Sequence, residues 1–192
     1  MFLPIGDQPN PPGTPIVNYV LIALNVLVFI GITLPLTYTA PDLQDPATWE
    51  YLRLLMETTG IRDPQAILTR ITAYDVFLLE YGYRPGAPST LSLFTSLFLH
   101  GGWLHMLGNM LFLWIYGDNV EHRLGPLGYL MAYLATGVLA TLSHSLVVGA
   151  SPNPLVGASG AISGVLGCYF LWFPRNQVKV FVFLFPIFMD VI

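Results

Sequence analysis

Three polar side chains lie in segments that are otherwise apolar, and their types suit the transfer of an acyl group. Ser159 lies in the segment NPLVGASGAISGVLG, whereas His105 and Asn109 lie in HGGWLHMLGNM. A spacing of four places His105 and Asn109 on one face of a helix. A serine hydroxyl can attack a carbonyl carbon, and histidine, asparagine and backbone N–H groups can donate hydrogen bonds to the resulting oxyanion. We therefore predict Ser159 as a nucleophile, with His105, Asn109 and the Ser159 N–H as oxyanion donors.

A second interpretation of the same segment is helix packing. Small residues let neighbouring helix backbones approach closely in a membrane, and a helix face rich in glycine and serine is more often a packing surface than a nucleophile. The segment contains such residues at Gly157, Gly160, Gly164 and Gly167. Ser163, one turn after Ser159, is assigned to packing.

The elements that position these residues are membrane spans. Of the 192 residues 54% are hydrophobic and 9% are charged, against roughly 25% charged residues in soluble domains. Residues 8–41, 91–117 and 124–174 contain no Asp, Glu, Lys or Arg. Since about 20 apolar residues cross a bilayer, the first two stretches can each hold one span and the third can hold two. The pattern predicts an all-α polytopic membrane protein.

We predict one membrane domain over residues 1–192. An external loop at residues 37–90 contains two amphipathic stretches, at residues 46–60 and 64–82, which are either interfacial helices or a small insertion that covers the bundle. The Pro-rich residues before the first span suggest an irregular arm, and the first span is predicted to be retained rather than cleaved as a signal peptide. The predicted spans cover approximately residues 16–36, 103–125, 127–147 and 157–173, with a fifth, incomplete helix at residues 178–192.

Basic residues in the short loops orient the chain. Arg123 follows the second span, and Arg175 and Lys179 follow the fourth. The positive-inside rule then places both loops and the N-terminus in the cytoplasm. With this topology, Ser159, His105 and Asn109 lie at similar depth near the outer membrane surface.

Charge and cysteine content exclude two other classes. The net charge is −4, which does not suggest a nucleic-acid partner, and Cys168 is the single cysteine, so no disulfide closes within the chain. Cys168 is assigned to packing.

The two segments FTSLFLHGGWLHMLGNMLFLWIYGDNVEHRLGPLGYL and VGASGAISGVLG resemble the rhomboid intramembrane serine proteases. Family signatures are H-x4-H-x3-N, met here by His100, His105 and Asn109, and G-x-S-G, met by residues 157–160. The resemblance implies a six-helix bundle in the cell membrane that cleaves transmembrane protein substrates near the outer face. It implies no metal and no organic cofactor, and it leaves the oligomeric state unknown.

The resemblance also assigns roles to individual residues. Ser159 is the nucleophile, and His105, Asn109 and the Ser159 N–H form the oxyanion hole. Gly157 and Gly160 are expected to lie against the substrate, and Gly160 to admit close packing by the helix that carries the base. Glu121 and Arg123 match a motif that buttresses the first loop or the helix ends.

The chain departs from the family pattern at the general base. Relatives carry this histidine on a sixth helix, whereas this sequence ends within the predicted fifth. His144 is the one conceivable substitute, because His100 and His105 occupy other motif positions and His122 lies at the cytoplasmic end. Without a base a serine hydroxyl is a weak nucleophile, so residues 1–192 alone are expected to be inactive.

Two functions of other classes stay open. A non-catalytic rhomboid-like protein would bind transmembrane segments and escort them, and the absent base favours this possibility. A transporter fragment would be expected to show internal repeats or broken helices, and the sequence shows neither.

Overall fold

The structure is a computed structural model that describes residues 2–184 and 187–191. It is mainly helical, with the polytopic helical architecture that the sequence predicts. The elements are β1 (Phe2–Gln8), α1 (Ile16–Val28), a π-helical turn (Phe29–Thr33), α2 (Leu34–Thr37), α3 (Pro46–Thr59), α4 (Pro64–Leu68), α5 (Ala73–Tyr81), α6 (Thr90–Thr95), a 3₁₀ turn (Ser96–Phe98), α7 (Trp103–Val148), α8 (Ser159–Trp172), β2 (Gln177–Leu184) and β3 (Ile187–Val191).

Two helical segments of the described residues are long and apolar enough to cross a membrane. The first runs without interruption from Ile16 to Thr37, and the second is α7. Large apolar side chains on α7 and α8 face outward, with Leu104 86% and Leu146 87% exposed. Such exposure is unfavourable in water and suits contact with lipid.

Helix α7 consists of two arms that meet at a break. Gly125 has φ 73° and ψ 165°, which interrupts the helix, and Pro126 follows it. Glycine tolerates this φ, and the residue before a proline is disfavoured in the helical conformation. The break falls between the predicted second and third spans, so the N-terminal arm corresponds to the second span and the C-terminal arm to the third.

Helix α8 packs against the C-terminal arm of α7 through small residues. A Cβ atom at Gly160 would lie 2.7 Å from the Cβ of Ala140, and one at Gly164 would overlap Thr136. The Thr136 hydroxyl also donates to the Ala161 carbonyl at 3.3 Å. These glycines therefore allow the two helices to pack closely, which fixes the start of α8 relative to α7.

The external loop contains short helices with well-defined starts. The Asp45 and Asp63 side chains accept from backbone N–H groups in the first turns of α3 and α4, and Thr72 with Asp75 forms a capping box at α5. Gly60, which has φ 72°, follows the last residue of α3 and terminates the helix. These caps satisfy N–H groups that a helix start leaves unpaired, and α3, α4 and α5 fall within the two predicted amphipathic stretches.

The segment predicted as an incomplete fifth helix is extended in the structure, and this prediction is wrong for the described residues. Strand β2 pairs antiparallel with β1 on one side and with β3 on the other. The residues of β2, QVKVFVFL, are mostly β-branched or aromatic and fit a strand better than a helix. Hydropathy cannot distinguish the two states in so short an apolar run. The Pro-rich segment before the first span, predicted to be irregular, supplies the partner strand β1.

The first span is capped by a carboxylate from the second. Glu121, which is 3% exposed, accepts from the Val17 N–H at 3.0 Å and from the Asn18 N–H at 2.7 Å. The Asn18 side chain donates to the Leu113 carbonyl and accepts from the Tyr129 hydroxyl at 2.8 Å. A negative charge at a helix N-terminus is favourable, so Glu121 joins the start of α1 to α7, in keeping with the buttressing role that the resemblance implies.

We expect loss of this cap to destabilise the protein. Glu121→Leu leaves two buried N–H groups unpaired and should lower the free energy of unfolding by roughly 2–3 kcal/mol, whereas Glu121→Gln keeps one acceptor and should cost about half as much. Denaturant titration in detergent micelles measures both. Glu57→Gln, on an exposed part of α3, is the control and should have little effect. Equal stability of Glu121→Leu and the parent would contradict the cap.

Candidate active site

The turn that leads into α8 carries the G-x-S-G residues. Gly157 has φ 121°, a backbone conformation that residues other than glycine rarely adopt. Its N–H donates to the Ser96 carbonyl at 2.9 Å, and Ala158, which is fully buried, precedes the first helical residue, Ser159. The serine is therefore placed at the start of a helix by a turn that requires glycine.

His105 and Asn109 lie beside this turn. His105 is in the first turn of α7 and Asn109 is one turn later. A Cβ atom at Gly157 would lie 2.6 Å from the His105 Nε2 and 3.8 Å from the Asn109 Nδ2. A side chain at position 157 would therefore collide with the imidazole ring, and only glycine lets the turn approach so closely. The structure brings the two predicted donors together at Gly157.

Asn109 has a free hydrogen-bond donor at this point. Its side chain is 9% exposed, and its Nδ2 has no partner among the described residues. A buried donor without a partner costs about 1–3 kcal/mol. The N–H of Asn109 is thus available for an acceptor that enters between α7 and the turn.

Ser159 is the exposed member of the group. It follows Gly157 by two residues, so its backbone lies within about 7 Å of that glycine. Its carbonyl accepts from the Ser163 hydroxyl at 2.7 Å. Across the described residues its own hydroxyl has no hydrogen bond, and none of the four histidines contacts it as a base would. The site therefore combines a free hydroxyl and a free amide donor without a base bonded to the serine.

His100 packs against His105, a contact that was not predicted from the sequence. The two rings meet edge to face, with centroids 5.1 Å apart. His100 is fully buried, and its carbonyl accepts from the Tyr74 hydroxyl at 3.1 Å. Burial and the neighbouring His105 lower the pKa of His100 to about 4. His100 is therefore a neutral ring at pH 7 that packs against His105.

This depressed pKa makes stability depend on pH. The unfolded chain binds a proton at His100 near pH 6.5 and the folded protein only near pH 4, so between these values the unfolded state binds more protons and stability falls as the pH falls. We expect a loss on the order of 1–2 kcal/mol between pH 7 and pH 5. His100→Gln should remove that part of the slope, and His144→Gln, at an exposed position, should keep it. Identical slopes for both variants and the parent would contradict the assignment.

The remaining candidates lie away from the turn. His122 is exposed, with its Nδ1 2.7 Å from the Asp118 carbonyl, and His144 is exposed near the end of the C-terminal arm of α7. Gly160 faces Ala140 and Gly137 of that arm, so packing within the chain accounts for the glycine there. In the described part of the chain no cluster of three or more His, Cys, Asp or Glu side chains could hold a metal ion.

Comparisons with known proteins agree with the motifs. The Rhomboid domain family model matches residues 87–192, which is more than half of the chain. The Bacillus subtilis protein YdcA, whose name assigns it to the rhomboid proteases, is 30% identical to this chain over 141 residues. The match covers 67% of this chain and 68% of YdcA. Rhomboid protease GluP of Bacillus subtilis is 38% identical over 89 residues, covering 46% of this chain, and the mitochondrial Rhomboid protein 1 of Saccharomyces cerevisiae is 34% identical over 102 residues, covering 51%.

These matches cover only part of each relative, which limits what can be inferred about function. The chain spans 30% of the length of the yeast protein and 17% of GluP, so the activities of whole relatives do not transfer with the alignment. The relatives also include a mitochondrial protein. The matches therefore indicate a membrane protein without specifying which membrane it occupies.

Proposed function

The chain belongs to the rhomboid family, and from this membership we propose that it acts as an intramembrane serine endopeptidase. The observation that carries the proposal is the buried, unpartnered Nδ2 of Asn109 beside the Gly157 turn. A donor held without an acceptor at a stability cost is what an oxyanion hole requires, because it is oriented before the charge develops. Other buried polar atoms of the described residues also lack partners, but the Asn109 Nδ2 lies 3.8 Å from a Cβ position at Gly157, beside the candidate nucleophile.

The proposed reaction is acyl transfer through a covalent intermediate. The Ser159 Oγ attacks the scissile carbonyl carbon and passes its proton to a base, while His105, Asn109 and the Ser159 N–H donate to the oxyanion. The C–N bond then breaks, the leaving amine takes the proton, and a water molecule hydrolyses the ester to release the acid. No metal or organic cofactor takes part.

The general base is proposed to lie outside residues 1–192, on the sixth helix that the resemblance implies. Two observations support this: Ser159 has no histidine bonded to it, and His144, the one substitute considered, is exposed near the end of the C-terminal arm of α7. The face of α8 that carries Ser159 and Ser163 is exposed, which leaves room for a further helix there.

Substrates are proposed to be single-span membrane proteins with helix-breaking residues near their outer boundary, since a scissile bond must leave the helix to be attacked. They would enter from the bilayer, and the chain is proposed to reside in the cell membrane with its N-terminus in the cytoplasm. Of the two glycines expected to contact substrate, Gly157 is the stronger candidate because it lies beside both donors. Nucleic acid is not proposed as a partner.

A second candidate is a non-catalytic rhomboid that binds transmembrane segments and escorts them. The free Ser159 hydroxyl supports it, since a serine hydroxyl without a base is a weak nucleophile. One experiment separates the two functions. The protein extended through the predicted sixth helix is reconstituted in liposomes with a single-span reporter, and the products are identified by mass spectrometry. A protease yields two new termini; an escort leaves the reporter intact and bound.

A further inference from the structure

The turn that carries the candidate nucleophile is attached to the external loop by a backbone bridge. Tyr83 and Leu155 exchange both backbone hydrogen bonds, at 3.0 and 2.7 Å, and the Gly86 N–H donates to the Ser151 carbonyl at 2.8 Å. Residues 82–86 and 151–155 thus run antiparallel to each other, and we call this pair of segments the loop bridge. It joins the external loop to the connection between α7 and α8.

The loop bridge is closely packed at its glycines. A Cβ atom at Gly82 would lie 2.8 Å from the Leu78 carbonyl oxygen and 2.9 Å from the Pro154 Cβ, and one at Gly86 would lie 3.0 Å from the Ser151 carbonyl oxygen. Gly82 has φ −82° and ψ 143°, which any residue can adopt. The requirement for glycine at position 82 is therefore steric and comes from the Leu78 carbonyl of α5 and the Pro154 side chain of the opposing segment.

Both sides of the loop bridge are tied to the turn at Gly157. Leu155 precedes Gly157 by two residues, and the Gly157 N–H donates to the Ser96 carbonyl at 2.9 Å. On the other side, the Thr95 hydroxyl donates to the Tyr81 carbonyl at 2.7 Å, next to Gly82. Tyr83 itself is 4% exposed. Hydrogen bonds to the neighbouring residues Thr95 and Ser96 thus connect the segment at Gly82 with the turn at Gly157.

From this arrangement we propose that the loop bridge is a positioning device that holds Gly157 and Ser159 against His105 and Asn109 and stays closed during catalysis. Gly82 and Gly86 are positioning residues, because they pack against the connection between α7 and α8 and do not contact the reacting atoms. The proposal rests on the proposed endopeptidase function. The competing possibility is that the α7–α8 connection opens as a gate for substrate, in which case the loop bridge would break in each cycle.

A reversible disulfide tests whether the loop bridge opens. Residues of an antiparallel pair that exchange both hydrogen bonds have Cα atoms about 5.5 Å apart, within the roughly 4.4–6.8 Å that a disulfide spans. The variant Tyr83→Cys/Leu155→Cys is made together with Cys168→Ser, so that one cysteine pair is present. The reduced form controls for loss of the two side chains. We expect the oxidised protein, extended through the sixth helix, to keep kcat within about twofold of the reduced form.

Gly82→Val tests whether the loop bridge positions the site. We expect kcat to fall at least tenfold with KM nearly unchanged, because substrate binding remains while the donors are displaced. Gly31→Val is the control and should retain kcat, because a Cβ atom at Gly31 would have no neighbouring atom within 4 Å. Adding the oxidised disulfide to Gly82→Val should restore part of kcat, and this rescue is not expected of a residue that only stabilises the fold.

The outcomes are distinct. Loss of cleavage in the oxidised form with recovery on reduction would overturn the proposal and show that the connection opens. Unchanged kcat in Gly82→Val would overturn it as well. If Gly82→Val does not fold, the disulfide variant alone decides. Ser159→Ala is the inactive reference for the assay. If Ser159→Ala cleaves as well as the parent, the proposed endopeptidase function is wrong. If Ser159→Ala is inactive and the oxidised disulfide variant is inactive too, only the loop bridge proposal is overturned.

Discussion

Ser159→Ala is expected to abolish cleavage of a single-span reporter by the protein extended through the proposed sixth helix. The substitution removes the atom that forms the acyl intermediate, and in a serine protease of unrelated fold a comparable loss lowers kcat by about 10⁶. Reporter binding should persist, since the exposed hydroxyl makes no hydrogen bond in the described structure. Cleavage is measured from the new termini over time, and binding from co-purification in detergent. A second measurement, labelling with a fluorophosphonate, should be lost in parallel.

Ser163→Ala is the matched control for this experiment. Ser163 lies one turn later on the same exposed face of α8, and its hydroxyl donates to the Ser159 carbonyl. A bond of this i to i−4 type contributes little to a helix, so Ser163→Ala should keep kcat within about twofold. The nucleophile assignment would be wrong if Ser159→Ala retained activity, or if Ser163→Ala lost as much as Ser159→Ala.

Substitution of the two donors should have the second largest effect. Removal of one oxyanion donor typically lowers kcat by about 10² to 10³, so Asn109→Ala and His105→Ala should each fall in that range with KM little changed. The double variant should lose less than the product of the two, because residues that act on one charge are not additive. Asn153→Ala, at an exposed loop position, is the control for Asn109. A rise in KM with kcat unchanged would assign these residues to substrate binding.

Asn109 also offers a test in which stability and activity move in opposite directions. Its Nδ2 is buried and unpartnered, so Asn109→Leu, which is similar in size, removes the cost of that donor. We expect the free energy of unfolding to rise by about 1 kcal/mol while kcat falls as in Asn109→Ala. Sites that sacrifice stability for function behave in this way. A destabilised Asn109→Leu would instead indicate that the amide has a structural role.

The structural role of the external loop follows from its contacts with both halves of the site. Its helices are capped locally, but residues 82–86 pair with the α7–α8 connection and the Tyr74 hydroxyl bonds to the His100 carbonyl. His100 in turn contacts His105. The loop therefore supports both the turn with Ser159 and the ring of His105. The two alternatives from the sequence, interfacial helices or a cover over the bundle, did not include this role.

The sequence by itself determined the class of the protein and the chemistry of the candidate site. Absence of charge over long stretches indicates membrane spans because burying a charge in lipid is costly, and this signal needs no partner segment. The spacing of His105 and Asn109, and the glycine before Ser159, are likewise local. The family membership was predicted from these motifs and is confirmed by the family match.

Only the tertiary structure decided which distant residues meet. The bonds of Glu121 to the start of α1 join positions more than 100 residues apart, and the loop bridge pairs segments about 70 residues apart. The extended state of residues 177–184 depends on β1 in the same way, since a strand is stabilised by the strand beside it and a short apolar run is compatible with either helix or strand. Helical periodicity and charge are properties of neighbouring residues and can be read from the sequence. The bonds of Glu121, the loop bridge and the strand pairs form only when packing brings together remote backbone groups, which then need hydrogen-bond partners.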